Sequence, residues 1–329
     1  MQTTVVQSKN QSAFVRSGTG VDATSASDVA RQAGLDWTVS LHDLSANYTI
    51  PGNETPNMLP VKDKQAVVKT TAMGIATPIG VVGSRYQVFQ NGEVFSALDS
   101  IIDSGQARYS AAGEYDDGAK VWMLLQLPDT MEIKGDPHAA FILAKTSHDG
   151  SSSVVIRPVI ERLWCANQIN KIYKGRNKLT YTLRHTSNAQ LIPKEIANIM
   201  QLTHTNMEMY SDLSITLMER EVSRGFAVDY FKKVFPLPTA IEFAPIELLS
   251  KGEKSLRTRA LAARSIAFNI YNESPTQENI RGNQFGLWQS VIEYADHHRQ
   301  GNSLKRAISS IEGRSDGLKT KALDALITV

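Results

Sequence analysis

Acid–base or metal chemistry in this 329-residue chain would have to come from His148-Asp149, His185, Asp296, His297 and His298, or from its one cysteine, Cys165. Imidazoles and carboxylates in one cleft could hold a divalent ion and hydrolyse a phosphodiester, so a metal-dependent nuclease is one reading of this set. The spacing supports it poorly. Tyr294-Ala-Asp-His-His298 falls on a predicted helix, where neighbouring side chains diverge by about 100° and His297 and His298 cannot face one metal together. Neither HExxH nor HxE…PCxxC occurs, and a single cysteine builds neither a zinc site nor an intrachain disulfide. Ser147-His-Asp-Gly150 reads as a turn, its Asp and Gly supplying the backbone conformation. Cys165 ends the largely apolar run from Ile160, which predicts a buried, inert thiol. GxxxxGK[ST] is absent, and Gly18-Thr-Gly20 has no strand before it to make a phosphate-cradling loop. No catalytic residue, metal ligand or cofactor is assigned, and the expectation is a protein that is not an enzyme.

Charge carries the stronger signal. From Arg162 to Lys194 there is no Asp or Glu, while Arg162, Lys171, Lys174, Arg176, Lys178, Arg184 and Lys194 place seven cations in 33 residues. The whole chain is only +2, so the rest of it carries −5. Such a block is the electrostatic footprint of a polyanion site, because each neutralised phosphate releases a condensed counterion. Trp164, Asn167, Gln168, Asn170, Tyr173, Asn177 and Tyr181 are interleaved with the cations. That mixture suits a single strand, whose bases stack while cations hold its backbone. Tyr173, between Lys171 and Lys174, is the stacking candidate, whereas Trp164 sits in an apolar run and is assigned to the core. The expected nucleic-acid contacts are Arg157, Arg162, Lys171, Tyr173, Lys174, Arg176, Lys178 and Arg184. A solvated surface with no ligand is the plainer alternative.

These residues need a scaffold, and the turn signals outline one. Residues 1–34 are rich in Ser, Thr, Ala and Gln and read as a flexible arm that buries too little to offset its chain entropy. Short β-like runs follow to about residue 87, and Val94, Phe95, Leu98, Ile101 and Ile102 mark an amphipathic helix stopped by Gly105. Runs at Arg108–Tyr115, Lys120–Leu127, Ala139–Lys145 and Val154–Ile160 are parted by Asp116-Asp-Gly118, by Pro128 through Pro137 and by Asp149-Gly150, which predicts an antiparallel meander. A helix is expected to start near Ile160–Trp164, and another opens at Pro193 and stops at Gly225. Prolines at 236, 238 and 245 mark a linker before a run of helical patterns. The fold class is therefore α+β: an antiparallel β-meander covered by helices, with a mostly helical C-terminal subdomain. The expected divisions are 1–34, 35–235 and 236–329.

Composition bounds the rest. Hydrophobic residues at 42% and charged residues at 21% exclude wholesale disorder, and 21 Gly with 12 Pro exclude collagen-like or low-complexity architecture. No apolar run of about 18 residues could span a membrane, and the first ten residues lack a signal-peptide core, so a cytoplasmic protein is expected.

The segments Tyr86-Gln-Val-Phe-Gln-Asn91, Ala112-Gly-Glu-Tyr-Asp-Asp-Gly118 with Val121-Trp122, Ser147-His-Asp-Gly-Ser151, Arg162-Leu-Trp-Cys-Ala-Asn167, Arg184-His-Thr186 and Trp288 through His297 resemble a phage/plasmid-like protein family whose domain has no known function. Leu163-Trp164, where that pattern has small β-branched residues, and Gln168, where it has Thr, depart from it. The order of helix, hairpin sheet and basic helix also looks like the single-strand annealing proteins of phage recombination, the Redβ, Erf and Rad-fifty-two types. That second resemblance implies a homo-oligomeric ring or filament on single-stranded DNA, with a phage exonuclease or a single-strand-binding protein as further partners. A metal-dependent nuclease and a structural or regulatory phage protein are the alternatives.

Overall fold

A computed structural model describes residues 12–49, 51–52, 57–162, 165–167, 180–183 and 193–327. The chain opens with α1 (Ala13–Ser17), β1 (Thr19–Gly20) and α2 (Ala26–Gln32), followed by β2 (Thr38–Tyr48), β3 (Asn57–Thr70) and β4 (Ala76–Gly83). Two short helices, α3 (Asn91–Ser96) and α4 (Asp99–Asp103), lead into β5 (Arg108–Tyr115), β6 (Lys120–Ile133), β7 (Asp136–Ser147), β8 (Val154–Arg162), β9 (Cys165–Asn167) and β10 (Tyr181–Leu183). Then come α5 (Pro193–Met218), α6 (Arg224–Val234), α7 (Thr239–Glu242), α8 (Lys251–Glu273), α9 (Gln284–Glu293), α10 (Ser303–Glu312) and α11 (Asp316–Ile327).

The expected α+β class holds. Among the described residues β1, β5, β6, β7, β8 and β10 pair in that order, β9 adds to β8, and β2-β3-β4 form a separate three-stranded sheet. All these pairings are antiparallel. Strand alternation divides the large sheet's side chains between two layers of helices. Met123, Leu125, Ile142 and Ile156 face Val29 of α2, Phe95 of α3, Ile101 of α4 and Ile199 of α5. Trp122, Leu124, Leu143 and Val159 point the other way, against Phe14 of α1 and Ile311 of α10. A third cluster joins Ile133, Ile160 and Cys165 to Tyr210 and Leu217 of α5 and to α6, α9 and α11.

Four expectations are corrected. Residues 12–34 are not a loose arm: Phe14 is 1% exposed and Val29 fully buried, and Thr19–Gly20 pair with Ala111–Ala112 of β5. A Cβ on Gly18 would lie 2.4 Å from the Trp122 ring, so that glycine is a packing contact and not part of a phosphate loop. Pro128 does not end its strand, because β6 passes it through an irregularity between Gln126 and Thr130 and turns only at Lys134-Gly135, both at positive φ. No helix begins at Ile160: β8 runs to Arg162 and β9 folds back on it. Nor does packing change at residue 236, since α5 and α6 share one core with α8, α9 and α11.

Candidate nucleic-acid interface

β8 holds two stretches of the basic segment. Its outer edge pairs with β9, where Ile160 faces Asn167, and with β10, where Ile156 faces Tyr181. Asn167 and Tyr181 therefore lie on the same edge of β8, four residues apart in register. Lys171, Tyr173, Lys174, Arg176, Lys178 and Arg184, with Trp164 and His185, lie outside the described residues.

The other two expected contacts point inward. Arg162 is 4% exposed; its Nε and Nη2 donate to the two Asp136 carboxylate oxygens at 2.6 and 2.8 Å, and Nη2 also donates to the Thr276 carbonyl at 2.8 Å. Arg157 is 6% exposed, donates from Nη2 to the Ile311 carbonyl at 2.8 Å and sits 3.5 Å from the Asp316 carboxylate. Both guanidinium groups tie the sheet to the C-terminal helices and neither reaches solvent. Only local charge was legible in the sequence; the carboxylates that pair with these arginines are 26 and 159 residues away.

The candidate nuclease residues are dispersed. His148 is buried, with Nε2 2.9 Å from the Asn91 side-chain oxygen and its ring edge-on to Trp37. Asp149 occupies the expected turn: its carboxylate accepts from the Ser151 amide at 2.9 Å beside Gly150 at positive φ. Burial opposes ionisation of Asp149, but Ser151 and the Lys120 charge hold its carboxyl below the ordinary range. Asp296 is 1% exposed and accepts from Lys319 Nζ and from the Ser310 hydroxyl at 2.6 Å. The segment Tyr294–His298 is a single π-helical turn, leaving His298 41% exposed and 3.8 Å from Glu293. Among the described residues no three His, Cys, Asp or Glu side chains come together as a metal could require. Burial pushes the Cys165 thiol well above its ordinary pKa, which opposes thiolate chemistry.

A buried ionic network runs between β8 and the C-terminal helices. The Ser12 hydroxyl donates to Glu161 at 2.6 Å, and Arg16 donates to the Asp296 carbonyl at 3.2 Å. Burial raises the Glu161 carboxyl to about 7, and Ser12, Lys319 and Arg16 only partly offset it. Asp136 adds His138, whose Nδ1 is 2.9 Å from its carbonyl and whose pKa burial lowers to about 4. Composition gave no sign of this network, because its members are scattered singly between residues 12 and 319. No helix among the described residues is long and apolar enough to cross a membrane.

The family described as a domain of unknown function, DUF932, matches residues 78–325, about three quarters of the chain. No curated protein and no solved structure matches it.

Proposed function

We propose, from the premise that the chain belongs to the DUF932 family, that it binds single-stranded DNA and promotes annealing as a homo-oligomer in phage-type recombination. The observation that carries the proposal is the acid-free stretch from Arg162 to Lys194. With Arg162 neutralised by Asp136, six cations remain on it, four of them in sequence between Cys165–Asn167 and Tyr181–Leu183, the two stretches that pair with β8. Backbone phosphates lie along these cations, Tyr173 stacks a base, and base edges stay free for a complementary strand. No bond is made or broken, so the action is electrostatic and depends on many segments working side by side.

The β2–β3 hairpin supports self-assembly. β4 pairs with β3 only over Lys64–Thr70, so the distal pairs Ala46–Leu59 and Asn47–Met58 form a two-stranded ribbon with no further strand on either edge among the described residues. Tyr48, Leu59 and Val61 lie on one face of it and are 47%, 51% and 40% exposed. An isolated ribbon of this kind is marginally stable, and open edges are templates for a neighbour's strand.

The test is incubation of labelled complementary strands with pure protein and magnesium or manganese. Faster pairing with intact strands is the expected result. Chelator-sensitive cleavage, lost on changing His148 or Asp296, would support a nuclease instead, and neither pairing nor binding would leave a structural role.

A further inference from the structure

An arginine-rimmed groove lies on the C-terminal helices, between α6, α8 and α11. Arg259-Ala-Leu-Ala-Ala263 puts small residues on successive turns of α8 where larger side chains would close the gap to α6 and α11. The result is a groove of about 700 Å³, within the ~300–1,000 Å³ usual for small-molecule sites. One wall is aromatic: Phe235 and Tyr294, both partly buried, line it and meet edge to face at 5.3 Å. The rim carries three arginines, Arg259, Arg299 and Arg314, with His298 beside them, and no Asp or Glu lines the groove. Arg314 pairs with Glu312, and His298 approaches Glu293. Among the described residues neither Arg259 nor Arg299 has a carboxylate within ion-pair distance; Arg259 Nε donates to the Ser255 carbonyl at 3.2 Å, and burial raises the Tyr294 hydroxyl's pKa against the opposing Arg299 charge.

We propose that this groove binds a nucleoside phosphate, its base against Phe235 and Tyr294 and its phosphate between Arg259 and Arg299. An apolar floor beside two guanidinium groups that lack carboxylate partners matches a ligand with a flat aromatic part and a localised negative charge. A carboxylate-free lining leaves no repulsion to overcome. The ligand is either a free mononucleotide or one nucleotide unit of a strand, and the two sources share this chemistry. No described residue of 162–194 lines the groove, and the proposal stands whether or not that segment binds DNA.

Titration calorimetry of the full chain with AMP, adenosine and inorganic phosphate tests the assignment. AMP should saturate one site, with adenosine and phosphate each binding at least tenfold more weakly. The exposed double variant R259Q/R299Q should weaken AMP at least tenfold, and A260W, which keeps every charge but fills the groove, should do the same. If a single-stranded oligonucleotide displaces AMP, the groove holds a strand; if it binds R259Q/R299Q at full strength and leaves AMP in place, the ligand is the free nucleotide. No saturable AMP binding, or AMP binding that survives both variants and is lost only when Lys171, Lys174, Arg176 and Lys178 become Gln, would overturn the proposal.

Discussion

Arg162 grips Asp136 with both ends of its guanidinium, Nε to Oδ2 at 2.6 Å and Nη2 to Oδ1 at 2.8 Å, across the β7–β8 pair. The acid-free segment therefore begins with a cation that is already neutralised. Its third hydrogen bond, to the Thr276 carbonyl, fastens the strand to the turn before α9. The pair is a structural joint between sheet and helices.

Arg162→Met leaves the Asp136 carboxylate buried without its partner, which costs roughly 3–5 kcal/mol. Urea unfolding should show that loss, while the salt dependence of DNA binding stays unchanged because Arg162 touches no phosphate. A salt slope reduced by one contact with unchanged stability would place Arg162 at the DNA instead.

Glu161 makes stability depend on pH in a particular sense. Its carboxyl is raised from 4.5 to about 7, so between those values the folded chain holds a proton that the unfolded chain has released. Stability contributed by this group falls as pH rises through that window, by ~3 kcal/mol in all at ~1.4 kcal/mol per pH unit. Glu161→Gln keeps an acceptor for Ser12 and removes the penalty. The variant should match the parent near pH 4.5 and exceed it by about 3 kcal/mol near pH 8, measured by denaturant midpoints. A constant difference across that range would refute the assignment.

Phe14→Ala tests whether the amino-terminal residues belong to the fold. Phe14 is 1% exposed and its ring centroid is 5.4 Å from that of Trp122, so its removal should cost ~3–5 kcal/mol. A change below about 0.5 kcal/mol, usual for surface positions, would return these residues to a loose arm.

What the sequence disclosed follows the strength of its local signals. The β5–β8 meander was legible because Asp116-Asp-Gly118 and Asp149-Gly150 punctuate long apolar runs, and strands covered on both faces read as nearly continuous apolar text. The α1–α2 region was not, because Phe14 and Val29 are its two large buried anchors and the rest of its contact is made by Ala13, Ala26 and Ala30, which together carry no periodic hydrophobic signal. Pro128 was read as a break where a bulge absorbs it, and β9 was missed because three residues give no period. At the site, the excess of charge was plain in the sequence. That Arg157 and Arg162 face inward was not, since their carboxylate partners Asp316 and Asp136 come from other elements. The groove beside Arg259 was likewise hidden: its sign was an alanine cluster within a basic helix, which also fits an ordinary solvated face.

Assembly through the β2–β3 ribbon predicts a mass that rises with concentration and with long single strands. Replacing Tyr48, Leu59 and Val61 with Thr, Lys and Thr keeps strand-compatible residues while removing the exposed apolar face. Light scattering should then report a particle near 36.2 kDa where the parent forms multiples of it. A parent that stays at that mass in every condition would reject assembly.

The central claim is that the acid-free segment holds a single strand by its phosphates, and the salt dependence of affinity measures it most directly. With about five phosphate contacts, log affinity against log salt should fall with a slope near −3.5, at ~0.7 per contact. Changing Lys171, Lys174, Arg176 and Lys178 to Gln should bring it to about −0.7 and weaken binding at low salt. A folded quadruple variant with the parent's affinity and the parent's slope would contradict the account.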